Sequence, residues 1–124
     1  MNKNLSGLKV RIETAKFEEC LRFYGDILGL AILEEWHHRD DRGVIFGFDS
    51  NLESKGFLEL GYTEHKKEYS GLSLQIRVHS ITLTVQQISG VVEFEGPTER
   101  PWGSKYLYLS DPAGVSVILY EGTI

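Results

Sequence analysis

The stretch "LSLQIRVHSITLTVQQISG", residues 72–90, decides how this chain folds. Its first seven residues alternate, with Leu72, Leu74, Ile76 and Val78 against Ser73, Gln75 and Arg77. That is the period of a strand packed on one face. The remainder carries two competing signals. Ile81, Thr82, Thr84 and Val85 are β-branched, and Ile81, Leu83 and Val85 alternate, which favours more strand. Ser80 offers an N-cap oxygen and Gly90 a left-handed stop, which together bound a helix.

The N-terminal half tips the choice toward helix. "LKVRIE" (8–13) alternates in the same way, with Leu8, Val10 and Ile12 against Lys9, Arg11 and Glu13. Thr14 then offers a cap, and Phe17, Cys20 or Leu21, Tyr24 and Leu28 recur at helical spacing until Gly29. Three strands follow: "LAILEEW" (30–36), "VIFGF" (44–48) beyond the charged turn "RDDRG", and "GFLELGY" (56–62) beyond the loop 49–55. "TEHKKEYSG" (63–71) reads as a polar linker, after which the order restarts. Strands over "VVEFE" (91–95), "KYLYLS" (105–110) and "VSVILY" (115–120) complete a second unit. The last two strands are joined by Asp111-Pro112-Ala113-Gly114, which has the residues of a type I turn. The expected architecture is α+β: two βαβββ modules, about 5–62 and 72–121, within one domain spanning 1–124. Each sheet has a helix on one face, and its other face needs a different cover.

Length and composition agree with one ordinary globular domain: 124 residues, 41% hydrophobic and 25% charged. A formal net charge of −5 and the lack of a basic stripe disfavour nucleic acid and anionic membrane as partners. The lone Cys20 allows neither an internal disulfide nor a CxxC site. No apolar run approaches a transmembrane length, and "MNKNLSGLKV" lacks a signal-peptide core, so the cytoplasm is the expected location.

Two motifs carry a family likeness. "FYGDILGL" (23–30) resembles the helix-to-strand passage of the vicinal oxygen chelate superfamily, which includes glyoxalase I, extradiol dioxygenases and the bleomycin resistance proteins. "PWGSKYLYLSDPAGVSVILYEG" (101–122) is similar to its C-terminal hallmark, with the bleomycin resistance branch the best match there. The resemblance implies curved mixed sheets forming a cup around a cavity, usually in homodimers. It also implies, for many members, a divalent metal held by one inward side chain from the first and last strand of each module. Placed by offset from the matched motifs, those four positions fall on Lys9, Glu59, Ser73 and Ile118. One good ligand in four does not hold a metal: an ammonium repels a cation, Ile has no donor atom and Ser is a poor ligand. The expectation is therefore no metal and no cofactor, with Lys9 or Arg11 ion-paired to Glu59 where the metal would sit.

The same resemblance turns the polar alternates inward. The expected ligand-binding lining is Lys9, Arg11, Phe57, Glu59, Ser73, Gln75, Arg77, Trp102, Tyr106, Tyr108, Ile118 and Tyr120, with Glu13 and Ser116 alongside. Such a surface grips a planar or amphiphilic molecule by stacking and charged hydrogen bonds. Trp102 stands as either a stacking or a packing residue. Trp36, Phe46 and Phe48 are either cup-lining residues of the first module or core residues; their facing is ambiguous, and core packing is the better reading. His37 and His38 are adjacent on a strand, point to opposite faces and do not converge on one ion.

The function expected is metal-independent binding of a small organic molecule, an antibiotic among the candidates, by a homodimer of the glyoxalase/bleomycin resistance type. Lys9, Arg11 and Arg77 suit an anionic ligand better than the cationic drugs of the resistance branch. The alternative is a lyase, isomerase or dioxygenase of the same superfamily with an atypical or absent metal site. Glu59 would then be its base, and Arg11 or Arg77 would stabilise an enolate. A cup filled by its own side chains would instead mark a partner-binding module.

Overall fold

A computed structural model describes residues 3–49 and 55–123. Of the loop read over 49–55, residues 50–54 lie outside the described residues. The chain divides into two compact units, Met1–Lys67 and Glu68–Ile124, and the division falls inside the polar stretch 63–71. Each unit holds one four-stranded mixed sheet among the described residues.

The first unit contains β1 (Leu8–Thr14), a helix, then β2 (Ala31–His38), β3 (Asp41–Gly47) and β4 (Gly56–Tyr62). The sheet order is β1-β4-β3-β2, with β1 parallel to β4 and the other pairs antiparallel. Alternation in β1 has the consequence expected of it. Ile12 and Thr14 are buried with Val44, Phe46, Leu58 and Leu60, while Lys9 and Arg11 stay on the other, exposed side. The helix lies on the buried side and contributes Phe17, Cys20, Phe23 and Tyr24 to the core. Arg42 of β3 fixes its start, with the guanidinium 4.4 Å over the Phe17 ring and 2.5 Å from Glu18.

Two details of this helix differ from the sequence reading. Thr14 does not cap it; its hydroxyl accepts the Lys16 N–H at 2.9 Å, a turn just ahead of the helix. The helix is α only over Phe17–Leu21 (α1) and widens to a π-helix over Arg22–Ile27, with the Leu28 N–H donating to the Phe23 carbonyl. The wider turn puts the neighbours Phe23 and Tyr24 into the core together, rings edge-to-face at 5.0 Å, and leaves Leu28 only partly covered. Gly29, at φ 82°, ends the helix as its position in the sequence requires.

The second unit repeats the order with β5 (Ser73–Arg77), α2 (Ile81–Ile88), β6 (Glu95–Glu99), β7 (Lys105–Ser110) and β8 (Ser116–Glu121). Its sheet order β5-β8-β7-β6 is the same pattern, again with the first and last strands parallel. The contested segment is helical. Ser80 accepts the Leu83 N–H at 3.1 Å, and Glu121 of β8 accepts the Ile81 N–H at 2.9 Å. Two side chains thus satisfy donors that the β-branched run alone would leave open. The strand expected over 91–95 instead spans Glu95–Glu99. The Val91 and Val92 N–H groups turn back to the Ile88 carbonyl and are not available to the ladder.

The Asp111 turn anchors the end of this sheet. Asp111 is buried, and its Oδ1 accepts the Ala113 N–H at 2.8 Å and the Val115 N–H at 2.9 Å. Its main chain bonds Gly114 and Val115 as well, and Gly114 sits at φ 90°. Asp111→Ala leaves two N–H groups without this acceptor and is expected to destabilise the fold by about 1–3 kcal/mol. Asp111→Asn, which keeps an oxygen there, loses less. Urea unfolding of the two variants measures the difference.

Candidate functional site

Because each helix covers one side of its sheet, the residues of interest lie on the side without a helix. Strand register places them in rows. In the first unit Lys9 stands beside Phe57, Arg11 beside Glu59 and Ile45, and Glu13 beside Gly61, Gly43 and Trp36. In the second, Ser73 stands beside Ser116 and Ser110, Gln75 beside Ile118 and Tyr108, and Arg77 beside Tyr120, Tyr106 and Thr98. Eleven of the twelve residues expected to line a binding surface therefore occupy helix-free sides. The twelfth, Trp102, lies in the loop before β7 and is 62% exposed.

At the centre of the first face is Glu59, with a side chain only 13% exposed. Arg11 donates to its Oε2, and the Lys9 ammonium lies 3.6 Å from Oε1, so each carboxylate oxygen faces a cation. Arg11 also lies 3.4 Å from Glu13. The hydrogen bond to Glu59 raises the Arg11 pKa above its ordinary value against the opposing effect of burial, with Glu13 adding to the rise. This is the ion pair expected from the sequence, and both of the cations considered take part in it.

The metal that the sequence resemblance implies can be tested against these groups. Glu59 already serves two cations, Ser73 and Ile118 supply one weak donor between them, and Lys9 brings positive charge. Among the described residues no three His, Cys, Asp or Glu side chains are grouped to hold an ion. The residues do not fit a divalent metal.

Three glycines shape the first face. A Cβ at Gly61 would overlap the Arg11 guanidinium, one at Gly43 the Trp36 indole, and one at Gly47 the Leu33 side chain. Gly43 and Gly61 are cross-strand partners, so they form a shallow floor on which the guanidinium and the indole lie flat. Trp36 is thus a surface residue of this face, donating from Nε1 to Asp41 at 2.9 Å, and not the core residue expected. The cause is a bulge in β2 between Ile32 and Glu34, which reverses the side to which the later residues point. Phe46 is fully buried, as read, whereas Phe48 is 56% exposed. His37 and His38 are exposed at the strand's end.

The second face is aromatic. Tyr106 lies 5.8 Å from Tyr120 and 6.4 Å from Tyr108, ring centre to ring centre. Arg100, which alternation could not find because it sits in a loop, stacks 4.7 Å over Tyr106 and 5.9 Å from Trp102. It also donates to the Tyr108 hydroxyl at 3.3 Å, as does the Thr98 hydroxyl. The loop is tight: the Arg100 N–H donates to the Ser104 carbonyl at 2.7 Å, and Gly103 turns at φ 91°. The run "RPWGSK" was the available signal, since a Pro-Trp-Gly turn fixes the residue before it.

Gly43→Ala forces the indole off its floor and is expected to cost about 1–3 kcal/mol by overpacking. In a Trp102→Phe background the remaining tryptophan emission, which reports Trp36 alone, should shift to the red; an unchanged spectrum contradicts the flat seating.

No protein-family model matches the chain, and no curated protein matches it. Solved structures do. TnmS3, an antibiotic binding protein from Streptomyces sp. CB03234, superposes with a TM-score of 0.79 over 99% of this chain and 100% of that one, at 17% identity. A glyoxalase/bleomycin resistance protein from the same strain gives 0.71 over 92% and 98%, at 19% identity. The trypanothione-dependent glyoxalase I of Leishmania major gives 0.72 over 97% and 87%, at 21% identity. This chain has the fold of these antibiotic-binding, glyoxalase/bleomycin resistance and glyoxalase I structures.

Proposed function

We propose that this protein binds a small organic molecule on its helix-free sheet faces without a metal, and that it acts as a cytoplasmic homodimer. The observation that carries the reading is the occupation of Glu59. The one carboxylate at an expected ligand position has both oxygens against cations, in a row with Arg11 and Ile45. A carboxylate so engaged is a poor ligand for a further cation and a poor general base, which disfavours both the metal-dependent and the metal-free enzyme alternatives. The tilted rings of Tyr106, Tyr108 and Tyr120 and the flat-lying Trp36 supply apolar area with polar edges, as small-molecule sites require. The likeness to an antibiotic binding protein supports binding as the role, and an antibiotic is one ligand worth testing. No helix among the described residues is long and apolar enough to cross a membrane, and Cys20 is a buried thiol suited to a reducing compartment.

Thermal melting against glycopeptide antibiotics, aromatic acids and thiol conjugates, each with EDTA or with divalent metals, tests the binding role. A ligand at a hundred times its Kd adds about 2.7 kcal/mol, a rise on the order of 10 °C for a domain of this size. The expected result is a rise with an organic compound in EDTA; a rise with metal alone overturns the proposal. Light scattering should give the mass of a dimer, and a monomer's mass removes that part of it.

A further inference from the structure

The two helix-free faces differ in how their cations are engaged. On the first, Lys9 and Arg11 face Glu59 and Glu13, and the four charges cancel. On the second, Arg77 and Arg100 form no ion pair with any acid among the described residues. Among the described strand residues of that side the one acid is the exposed Glu95 opposite Tyr108, and the two arginines outnumber it. This local excess sits in a chain whose formal net charge is −5.

The placement of the two arginines is also specific. Arg77 and Thr98 end the row that runs through Tyr120 and Tyr106, and Arg100 follows two residues after Thr98. Strands about 4.8 Å apart put the ends of that row about 14 Å from each other, room for a fused two- or three-ring arene. Arg100 is held by stacking on Tyr106 and by its bond to Tyr108. A guanidinium fixed over a ring keeps its in-plane N–H groups at the edge, where they form a fork for a planar anion.

We propose that the ligand is an aromatic anion, a fused arene carrying a carboxylate or sulfonate. It packs against Tyr108 and Tyr120, beside the Tyr106 ring over which Arg100 is stacked, with its anionic group held by Arg100 and attracted by Arg77. The inference rests on the binding role proposed above and adds the ligand's class and position.

Calorimetric titration with 2-naphthoate, the neutral 2-naphthamide and the cationic 2-naphthylmethylammonium tests it. 2-Naphthoate should bind about tenfold or more tightly than the amide, since a charge-assisted hydrogen bond is lost with the charge, and the ammonium should bind most weakly. Arg100→Gln should abolish the preference for naphthoate over naphthamide, and Arg77→Gln should reduce it by about threefold, as expected of a more distant charge. Melting of the unliganded variants checks their folding. Arg77 lies outside the loop held by Arg100 and gives a second reading if that loop loosens. Equal binding of acid and amide, preference for the ammonium, or no binding of naphthoate at millimolar concentration overturns the inference. If naphthoate and the aromatic acids fail while another organic compound raises the melting temperature in EDTA, the ligand class falls and the binding role stands. If no organic compound does so, both fall.

Discussion

One helix for each four-stranded sheet is the constraint from which the other features follow. A sheet has two sides, and a single helix packs one of them. The covered side of the first unit holds Ile12, Val44, Phe46, Leu58 and Leu60 against Phe17, Cys20, Phe23 and Tyr24, and this is its core. The second unit does the same with Leu107, Leu109, Val117 and Leu119 and the helix residues Ile81 and Ile88. The opposite sides cannot be simple hydrophobic surface without inviting aggregation. They are built instead from ion pairs laid on glycines in one unit and from tyrosines with a stacked arginine in the other.

The two faces show different ways of using similar geometry. At the central row of the first sheet the register sets Arg11 beside Glu59, and the pair neutralises itself. The corresponding row of the second sheet sets Gln75 beside Ile118, which neither attract nor repel. Charge on the second face is displaced to its edges, at Arg77 and Arg100, with aromatic rings between them. A repeated fold unit therefore does not carry a repeated surface chemistry. The likeness to solved glyoxalase and resistance proteins is a likeness of backbone, and these side chains are what distinguish this chain.

Most of the fold was legible from alternation, because a period of two sorts each strand's residues onto two sides once one side is known to be buried. The repeat resolved the hardest segment: Ile81–Ile88 is helical against its own β propensity, through caps from Ser80 and Glu121. Glu121 lies far along the chain, so its contribution could not be read locally. The misplacements have similar physical causes. The side of Trp36 is not legible from alternation, because a bulge has no reliable signature in a single sequence and one extra residue reverses a side. The strand expected over 91–95 begins later because Val91 and Val92 look like strand residues but serve to close a helix. Arg100 was missed because alternation says nothing about loops.

The parallel pairing of each unit's first and last strands has a consequence for how the chain is made. Arg11 and Glu59 are 48 residues apart, and β1 bonds to no strand of its sheet except β4. On a chain emerging from the ribosome, Leu8–Thr14 has no partner until Gly56–Tyr62 has followed it, although β2 and β3 already form a local hairpin. Closing the sheet is therefore the late, entropically costly event in each unit. The ion pair at Glu59 forms only at that closure, so the chemistry of the face is the last part of the unit to be assembled.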